Sequence, residues 1–106
     1  ELAKKAALFV IVPATANVIG KIANGIADDM LTTTVMAARS PVLIFPAMNS
    51  YMYENPIVQE NIEKLKKYGY HVFKTASGEL ACGDTGSGKL PDWQEIVKEI
   101  EKFCNK

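Results

Sequence analysis

Apolar and polar positions alternate along the chain in short blocks whose periods change. Ala7-Leu8-Phe9-Val10-Ile11-Val12 is an unbroken apolar run stopped by Pro13. Six residues are too few for a helix, and apolarity at every position marks a strand buried on both faces. Val42-Leu43-Ile44-Phe45, between Pro41 and Pro46, has the same character, and Tyr70-His71-Val72-Phe73-Lys74 predicts a weaker third strand. Between the first two strands the period lengthens. Asn17 is placed to cap a helix in which Val18, Ile22 and Ile26 recur at i, i+4 and i+8, and Asp28-Asp29 breaks and recaps the segment before Met30 to Ala38. The next crossover has Asn55 as N-cap, Pro56 at the first helical position, Val58, Ile62 and Leu65 on one face, and Gly69 just past the end. Pro91 opens a last helix with an apolar stripe of Trp93, Ile96, Val97, Ile100 and Phe103. The order β-α-β-α-β-loop-α predicts a parallel sheet with helices on both faces, with no internal repeat, low-complexity tract or linker.

Composition narrows the picture. At 106 residues the chain can form one domain, marginal in the surface it buries, so partner subunits or a bound cofactor are expected to support it. Twelve basic residues against twelve acidic ones leave no cationic surplus for binding nucleic acid by counterion release. Two cysteines, Cys82 and Cys104, are too few for a disulfide scaffold and fit a reducing compartment. No apolar run approaches the ~18 residues of a membrane span, and no signal-peptide pattern opens the chain, so the expected location is the cytoplasm and no membrane partner is expected. Glu1 to Lys5 reads as the tail of a helix entering the first strand. Since three strands with open edges make a poor isolated domain, the chain is expected to be the C-terminal portion of a larger α/β unit.

In open α/β sheets, ligands bind beyond the carboxyl ends of the strands. Three segments fall there: Pro13-Ala14-Thr15-Ala16-Asn17, Pro46-Ala47-Met48-Asn49, and a long loop from Thr75 to Leu90. The first combines small residues, which let a flat ligand approach the backbone, with a hydroxyl, an amide and a helix N-terminus; it reads equally well as a tight strand-to-helix turn. The second repeats the design, with Asn49 as a neutral donor and Met48 a core residue. In the third, Gly83, Gly88 and Lys89 match most of a phosphate loop, but Leu90 stands where the magnesium-binding Ser or Thr is required, and the segment lies too far from its strand. Three glycines in positions 83–88 instead predict a loop that closes over a ligand, carrying Cys82 and Asp84.

Other candidates have plainer explanations. His71 has no Cys or carboxylate at metal-ligand spacing and reads as a structural residue, so no metal site is expected. Asp28-Asp29 diverge in direction and suit capping, Lys64, Lys66 and Lys67 suit a helix C-terminus, and Cys104 reads as a filler of the last helix's apolar face.

Taken together, the three loops resemble those of the flavin-dependent cysteine decarboxylases, most closely the members acting on phosphopantothenoylcysteine in coenzyme A biosynthesis. Pro13-Ala14-Thr15-Ala16-Asn17-Val18 is similar to the family's Pro-Ala-Ser-Ala-Asn-Thr motif and is followed by a typical stretch from Lys21 to Asp29. Pro46-Ala47-Met48-Asn49 matches Pro-x-Met-Asn, and Ala81-Cys82-Gly83-Asp84 matches the Ala-Cys-Gly-Asp of a substrate clamp. Thr at position 15 keeps the motif's hydroxyl, whereas Val18 loses one. The family's His-Ile-Glu-Leu context would make Glu1-Leu2 its last two residues, so the catalytic histidine and the glycine loop that grips the flavin phosphate are expected upstream of this chain.

The resemblance implies a three-layer, Rossmann-like or flavodoxin-like α/β fold, of which residues 1–106 are the C-terminal part of a flavoprotein domain. It implies FMN as cofactor, contacted at Thr15, Ala16, Asn17, Val18 and Ala47. It further implies oxidation of the substrate cysteine to a thioaldehyde, loss of carbon dioxide, and protonation and reduction of the enethiolate to yield phosphopantetheine. Cys82 takes the position of the proton donor and Asn49 that of the residue holding the substrate carboxylate, while Ala81, Gly83 and Asp84 shape the clamp. Family members assemble as trimers or multiples of trimers, so a homotrimer is expected. The chain by itself is not expected to turn over substrate. A peptidyl-cysteine decarboxylase and a non-catalytic scaffold or regulatory relative are the competing readings.

Overall fold

The computed structural model describes residues 8–79 and 85–104. Three parallel strands, β1 (Phe9–Ala14), β2 (Val42–Pro46) and β3 (His71–Val72), form a sheet in the order β1-β2-β3. Helices α1 (Ala16–Ala23) and α2 (Met30–Ala37) connect β1 to β2, and α3 (Ser50–Glu54) and α4 (Pro56–Lys67) connect β2 to β3. A two-stranded antiparallel hairpin, β4 (Ala76–Glu79) and β5 (Thr85–Lys89), follows, and α5 (Trp93–Cys104) closes the described chain.

Every residue of β2 is buried, as its unbroken apolar run predicts. Side chains on a strand alternate between faces, so its residues divide between two cores. Val42 and Ile44 join Ile11, Ala14, Ile19, Ile22, Val35, Ile62 and Leu65 on one side; Leu43 and Phe45 join Ile96 on the other. Full burial of a Leu, Ile or Phe side chain stabilises by about 1.5–3 kcal/mol, so this short strand joins the three layers. The second core is extended by Phe45 and Phe73, stacked 4.5 Å apart, and by Phe103, edge-on to both Phe73 and His71.

The edges of the sheet depart from expectation. β1 does not stop at Pro13: it runs to Ala14, with a cis bond between Val12 and Pro13 and an irregular register between Ile11 and Ala14. Proline is tolerated because β1 is an edge strand among the described residues and needs no ladder donor on its open side. The same edge leaves Val12 42% exposed, so β1 is not buried on both faces. β3 keeps only two of the five predicted residues, pairing Leu43 with His71 and Ile44 with Val72.

Helix boundaries follow capping chemistry. The cap of α1 is Thr15, whose Oγ1 accepts from the Val18 N–H at 3.2 Å, so Asn17 lies inside the helix and not at its cap. The buried stripe of α1 is Ile19, Ile22 and Ala23; Ile26 lies past the helix end and is exposed. Asp29 caps α2 as expected, in a reciprocal box with Thr32, and Lys21 pairs with Asp28 at 3.0 Å. The Thr32 backbone N–H and then its hydroxyl hold the Asp29 carboxyl below its ordinary value of 3.8, against a small opposing desolvation and with Lys21 assisting. Asn55 caps α4 with Pro56 behind it, and Gly69 takes φ +98° past its end.

Where a loop from Thr75 to Leu90 is expected, Ala76–Glu79 and Thr85–Lys89 pair as antiparallel strands. α5 begins at Trp93, two residues after Pro91, where the Asp92 carbonyl accepts from Glu95 and Ile96. Its stripe is only partly covered: Ile96 is buried and Ile100 and Phe103 half-buried, but Trp93 is 70% exposed and Val97 is exposed too. Cys104 is exposed rather than packed: four positions after Ile100 it continues the stripe, but, like Trp93 and Val97, it lies where that stripe is uncovered. His71 is also exposed, its ring 4.6 Å from that of Phe103.

Candidate active site

The first two predicted loops meet at the carboxyl ends of the strands, and the described part of the third segment packs against the second. β1 and β2 are adjacent and parallel, so their following loops emerge side by side, with Ala14 opposite Pro46. The Ala47 N–H donates to the Ala14 carbonyl at 3.0 Å and joins them directly. Neither loop contains an ionisable side chain. What they present is small and neutral: Ala16 and Ala47, the Thr15 hydroxyl, and the amides of Asn17 and Asn49.

In the first turn of α1 the Val18 N–H is taken by Thr15 Oγ1 and the Ile19 N–H by the Thr15 carbonyl. The N–H groups of Ala16 and Asn17 have no acceptor among the described residues, and the Asn17 side chain is exposed. A helix N-terminus with two open donors, beside alanines that let a planar group approach the backbone, suits a polar aromatic cofactor.

Asn49 is positioned by its own capping role. It precedes α3, and its Oδ1 accepts from the Met52 N–H at 2.9 Å. One bond therefore settles the amide's orientation, and Nδ2 is turned away from the helix with no acceptor among the described residues. Met48 packs against the first core while remaining half-buried, in keeping with a structural residue.

Ala81, Cys82, Gly83 and Asp84, the predicted clamp, lie outside the described residues. The strand that follows them is described. Gly88 in β5 is buried, at φ +89°, against the loop carrying Asn49: a Cβ there would lie 2.5 Å from the Met48 carbonyl oxygen. Met48 donates its N–H to the Gly88 carbonyl at 2.9 Å, and the Gly88 N–H donates to Thr75 Oγ1 at 3.1 Å. Gly88 and Lys89 thus belong to a strand and do not open a helix, which removes the phosphate-loop geometry their spacing imitates.

Three contributors escape a reading of the sequence: Thr75, Glu54 and Ser87. Ser87 Oγ donates to Glu54 Oε2 at 3.1 Å across 33 positions. No local pattern announces a pair so far apart; only the glycines flanking Ser87 hint at a close approach. A separate cavity of about 340 Å3, floored by Phe45, Phe73 and Ile96 and rimmed by Lys74, Glu95 and Glu99, lies on the α5 side and includes none of the predicted site residues. Among the described residues no cluster of three His, Cys, Asp or Glu could hold a metal, and no helix is long and apolar enough to cross a membrane.

Known proteins match the chain over nearly its whole length. The sequence pattern of the Flavoprotein family matches residues 1–105. The coenzyme A biosynthesis bifunctional protein CoaBC of Bacillus subtilis is 54% identical over 102 residues, covering 96% of this chain and 25% of that protein. A probable phosphopantothenoylcysteine decarboxylase of Streptococcus mutans is 48% identical over 103 residues, covering 95% of this chain and 58% of its own length. The chain therefore spans between a quarter and three fifths of these relatives. Among solved structures, a PPC decarboxylase mutant complexed with pantothenoylaminoethenethiol superposes with a TM-score of 0.88 at 32% identity, over 99% of this chain and 59% of the other. The superposition bears out the flavodoxin-like parallel α/β architecture.

Proposed function

Because the chain belongs to the Flavoprotein family, we propose that it forms the C-terminal part of an FMN-dependent decarboxylase that converts phosphopantothenoylcysteine to phosphopantetheine in coenzyme A biosynthesis. The observation that supports the reading is the joining of the two motif loops through the Ala47 N–H and the Ala14 carbonyl, which brings the loop that opens α1 next to the loop that carries Asn49. The enethiol bound by the superposed PPC decarboxylase mutant is a decarboxylated product-like compound, and supports the same substrate class.

Thr15, Ala16, Asn17, Val18 and Ala47 hold the flavin in this reading, through the open N–H groups of Ala16 and Asn17, the Asn17 amide and the two alanines. Val18, carrying no hydroxyl, contributes only apolar contact. Bound FMN supplies a two-electron oxidation at the substrate's cysteinyl carbon and returns the electrons after carbon dioxide has left. Asn49 Nδ2 donates to the substrate carboxylate. A neutral amide suits this role, because Arg or Lys would stabilise the carboxylate most strongly in the ground state and so oppose its departure. Cys82 is the proton donor to the decarboxylated carbon. A thiol of ordinary pKa, about 8.5, is mostly protonated at neutral pH and so can give up a proton there. Ala81, Gly83 and Asp84 form the clamp around it. The active assembly is a homotrimer in the cytoplasm.

The test is turnover by the intact protein with phosphopantothenoylcysteine, followed by mass spectrometry and by flavin absorbance. Loss of carbon dioxide with formation of the thiol product is expected. Turnover of a peptide ending in cysteine, with none of the pantothenoyl substrate, would replace this reading with that of a peptide-modifying enzyme. Bound flavin with no turnover of either would leave a scaffold protein.

A further inference from the structure

We propose that Glu54 and Ser87 are positioning residues for Asn49: by joining the C-terminal end of α3 to β5, they set the direction in which the Asn49 amide meets the substrate carboxylate. The inference rests on the decarboxylase reading above, which assigns that carboxylate to Asn49.

α3 has five residues, little more than one turn, and none is buried. A helix this short has no stability of its own in water, so its orientation comes from its attachments. On its N-terminal side the Met48 N–H donates to the Gly88 carbonyl, and Gly88 lies so close that a Cβ would sit 2.5 Å from the Met48 carbonyl oxygen and 3.4 Å from that of Asn49. At its C-terminal end Glu54 Oε2 accepts from Ser87 Oγ at 3.1 Å. Ser87 and Gly88 are consecutive in β5, so a single strand grips both ends of α3.

The strand is itself anchored, since the Gly88 N–H donates to Thr75 Oγ1. Thr75, Ala76 and Pro91, at the base of the hairpin, line the cavity of about 340 Å3 beside Phe45 and Phe73, and among the described residues Leu90 alone of the stem's neighbours packs on that core, so the contacts with α3 help to set the hairpin's place. The Asn49 side chain follows the helix because its Oδ1 is bonded to the Met52 N–H. A tilt of α3 therefore swings Nδ2, and hydrogen bonds weaken steeply with lengthening and misalignment. The Tyr53 carbonyl also accepts from Gln59 Nε2 and Tyr53 packs against the first core, so removing the Glu54–Ser87 bond loosens that end of the helix without releasing it, and leaves Asn49 chemically intact but misdirected.

The experiment compares, in the intact protein, the KM for the cysteine substrate with the inhibition constant of the decarboxylated thiol, which has no carboxylate. Ser87→Ala and Glu54→Ala are expected to raise KM about threefold to tenfold, the range of one lost hydrogen bond, while flavin content and inhibition by the thiol stay as in the parent. Glu54→Gln, which keeps an accepting oxygen, is expected to restore the parent KM. Asn49→Ala is the reference and should show a larger loss, confined to the carboxylated compound. If Asn49→Ala shows that selectivity but Ser87→Ala and Glu54→Ala behave as the parent, or weaken both compounds equally, the positioning role is overturned and the decarboxylase reading stands. If Asn49→Ala lacks the selectivity, the carboxylate assignment fails and this proposal falls with it.

Discussion

Replacing Gly88 with alanine tests how the hairpin is seated. An added Cβ would lie 2.5 Å from the Met48 carbonyl oxygen and 3.1 Å from Tyr53 Cβ, where ordinary contacts begin at 3.4 Å. Since the nearest atom is backbone, β5 must retreat by roughly 1 Å. The Met48 N–H to Gly88 carbonyl bond, now 2.9 Å, then lengthens beyond the ~3.2 Å limit of a good N–H···O bond. Losing it costs about 0.5–1.5 kcal/mol. Holding a residue with a Cβ at φ +89° adds about 1–2 kcal/mol. Gly69→Ala separates the two contributions, because Gly69 has φ +98° but open space around its Cβ position, and so suffers the backbone cost alone. Amide hydrogen exchange at Met48 reads the difference. Gly88→Ala should remove about twofold to tenfold of that amide's protection, following from the lost bond, whereas Gly69→Ala should leave Met48 unchanged while lowering global stability by about 1–2 kcal/mol. Parent-like protection of Met48 in Gly88→Ala would show that β5 does not rest on this loop, and would refute the docking geometry.

Asn49→Asp should abolish decarboxylation by repelling the substrate carboxylate while leaving the thermal midpoint unchanged, because Asp caps a helix as well as Asn does; parent-level turnover counts against the holding role. Cys82→Ser should still release carbon dioxide but accumulate the enethiol, visible by mass spectrometry, and normal thiol formation would sink the proton-donor assignment. Asp29 makes a pH prediction. Its folded-state carboxyl lies below 3.8, so its contribution to stability is fully present above that value and is lost as pH falls through the lower folded one. Asp29→Asn should flatten that part of the acid-stability curve while α2 stays capped, and an unaltered slope in a denaturant titration across that range would show that the Thr32 hydrogen bonds are not made.

Much of the architecture is legible in the sequence because it rests on local rules. Val42 to Phe45 reads as a doubly buried strand since every position is apolar, and Asn55-Pro56 with Gly69 marks both ends of α4 since each residue meets one stereochemical need. Legibility fails where neighbours outside the segment decide. The stripe of α1 centres on Ile19, Ile22 and Ala23, with Val18 only at its edge and Ile26 outside it, because the helix is capped at Thr15 and ends at Ala23. Pro13 does not end β1, because an edge strand tolerates a missing donor. The glycines after Thr75 read as a loop, yet the segment pairs with itself and packs against α3.

The chemistry divides along the same line. The identities of Thr15, Asn17, Asn49 and Cys82, and the neutrality of the loops around them, are properties of the chain itself; the flavin and the carboxylated thiol enter through the family resemblance that their motifs carry. Which of these groups meet, and in what direction, belongs to the tertiary structure. The bond from Ala47 to Ala14 and the bond from Ser87 to Glu54 each link residues more than thirty positions apart. Contacts at such separations depend on sheet order and strand register, and those follow from how two cores share the faces of β2.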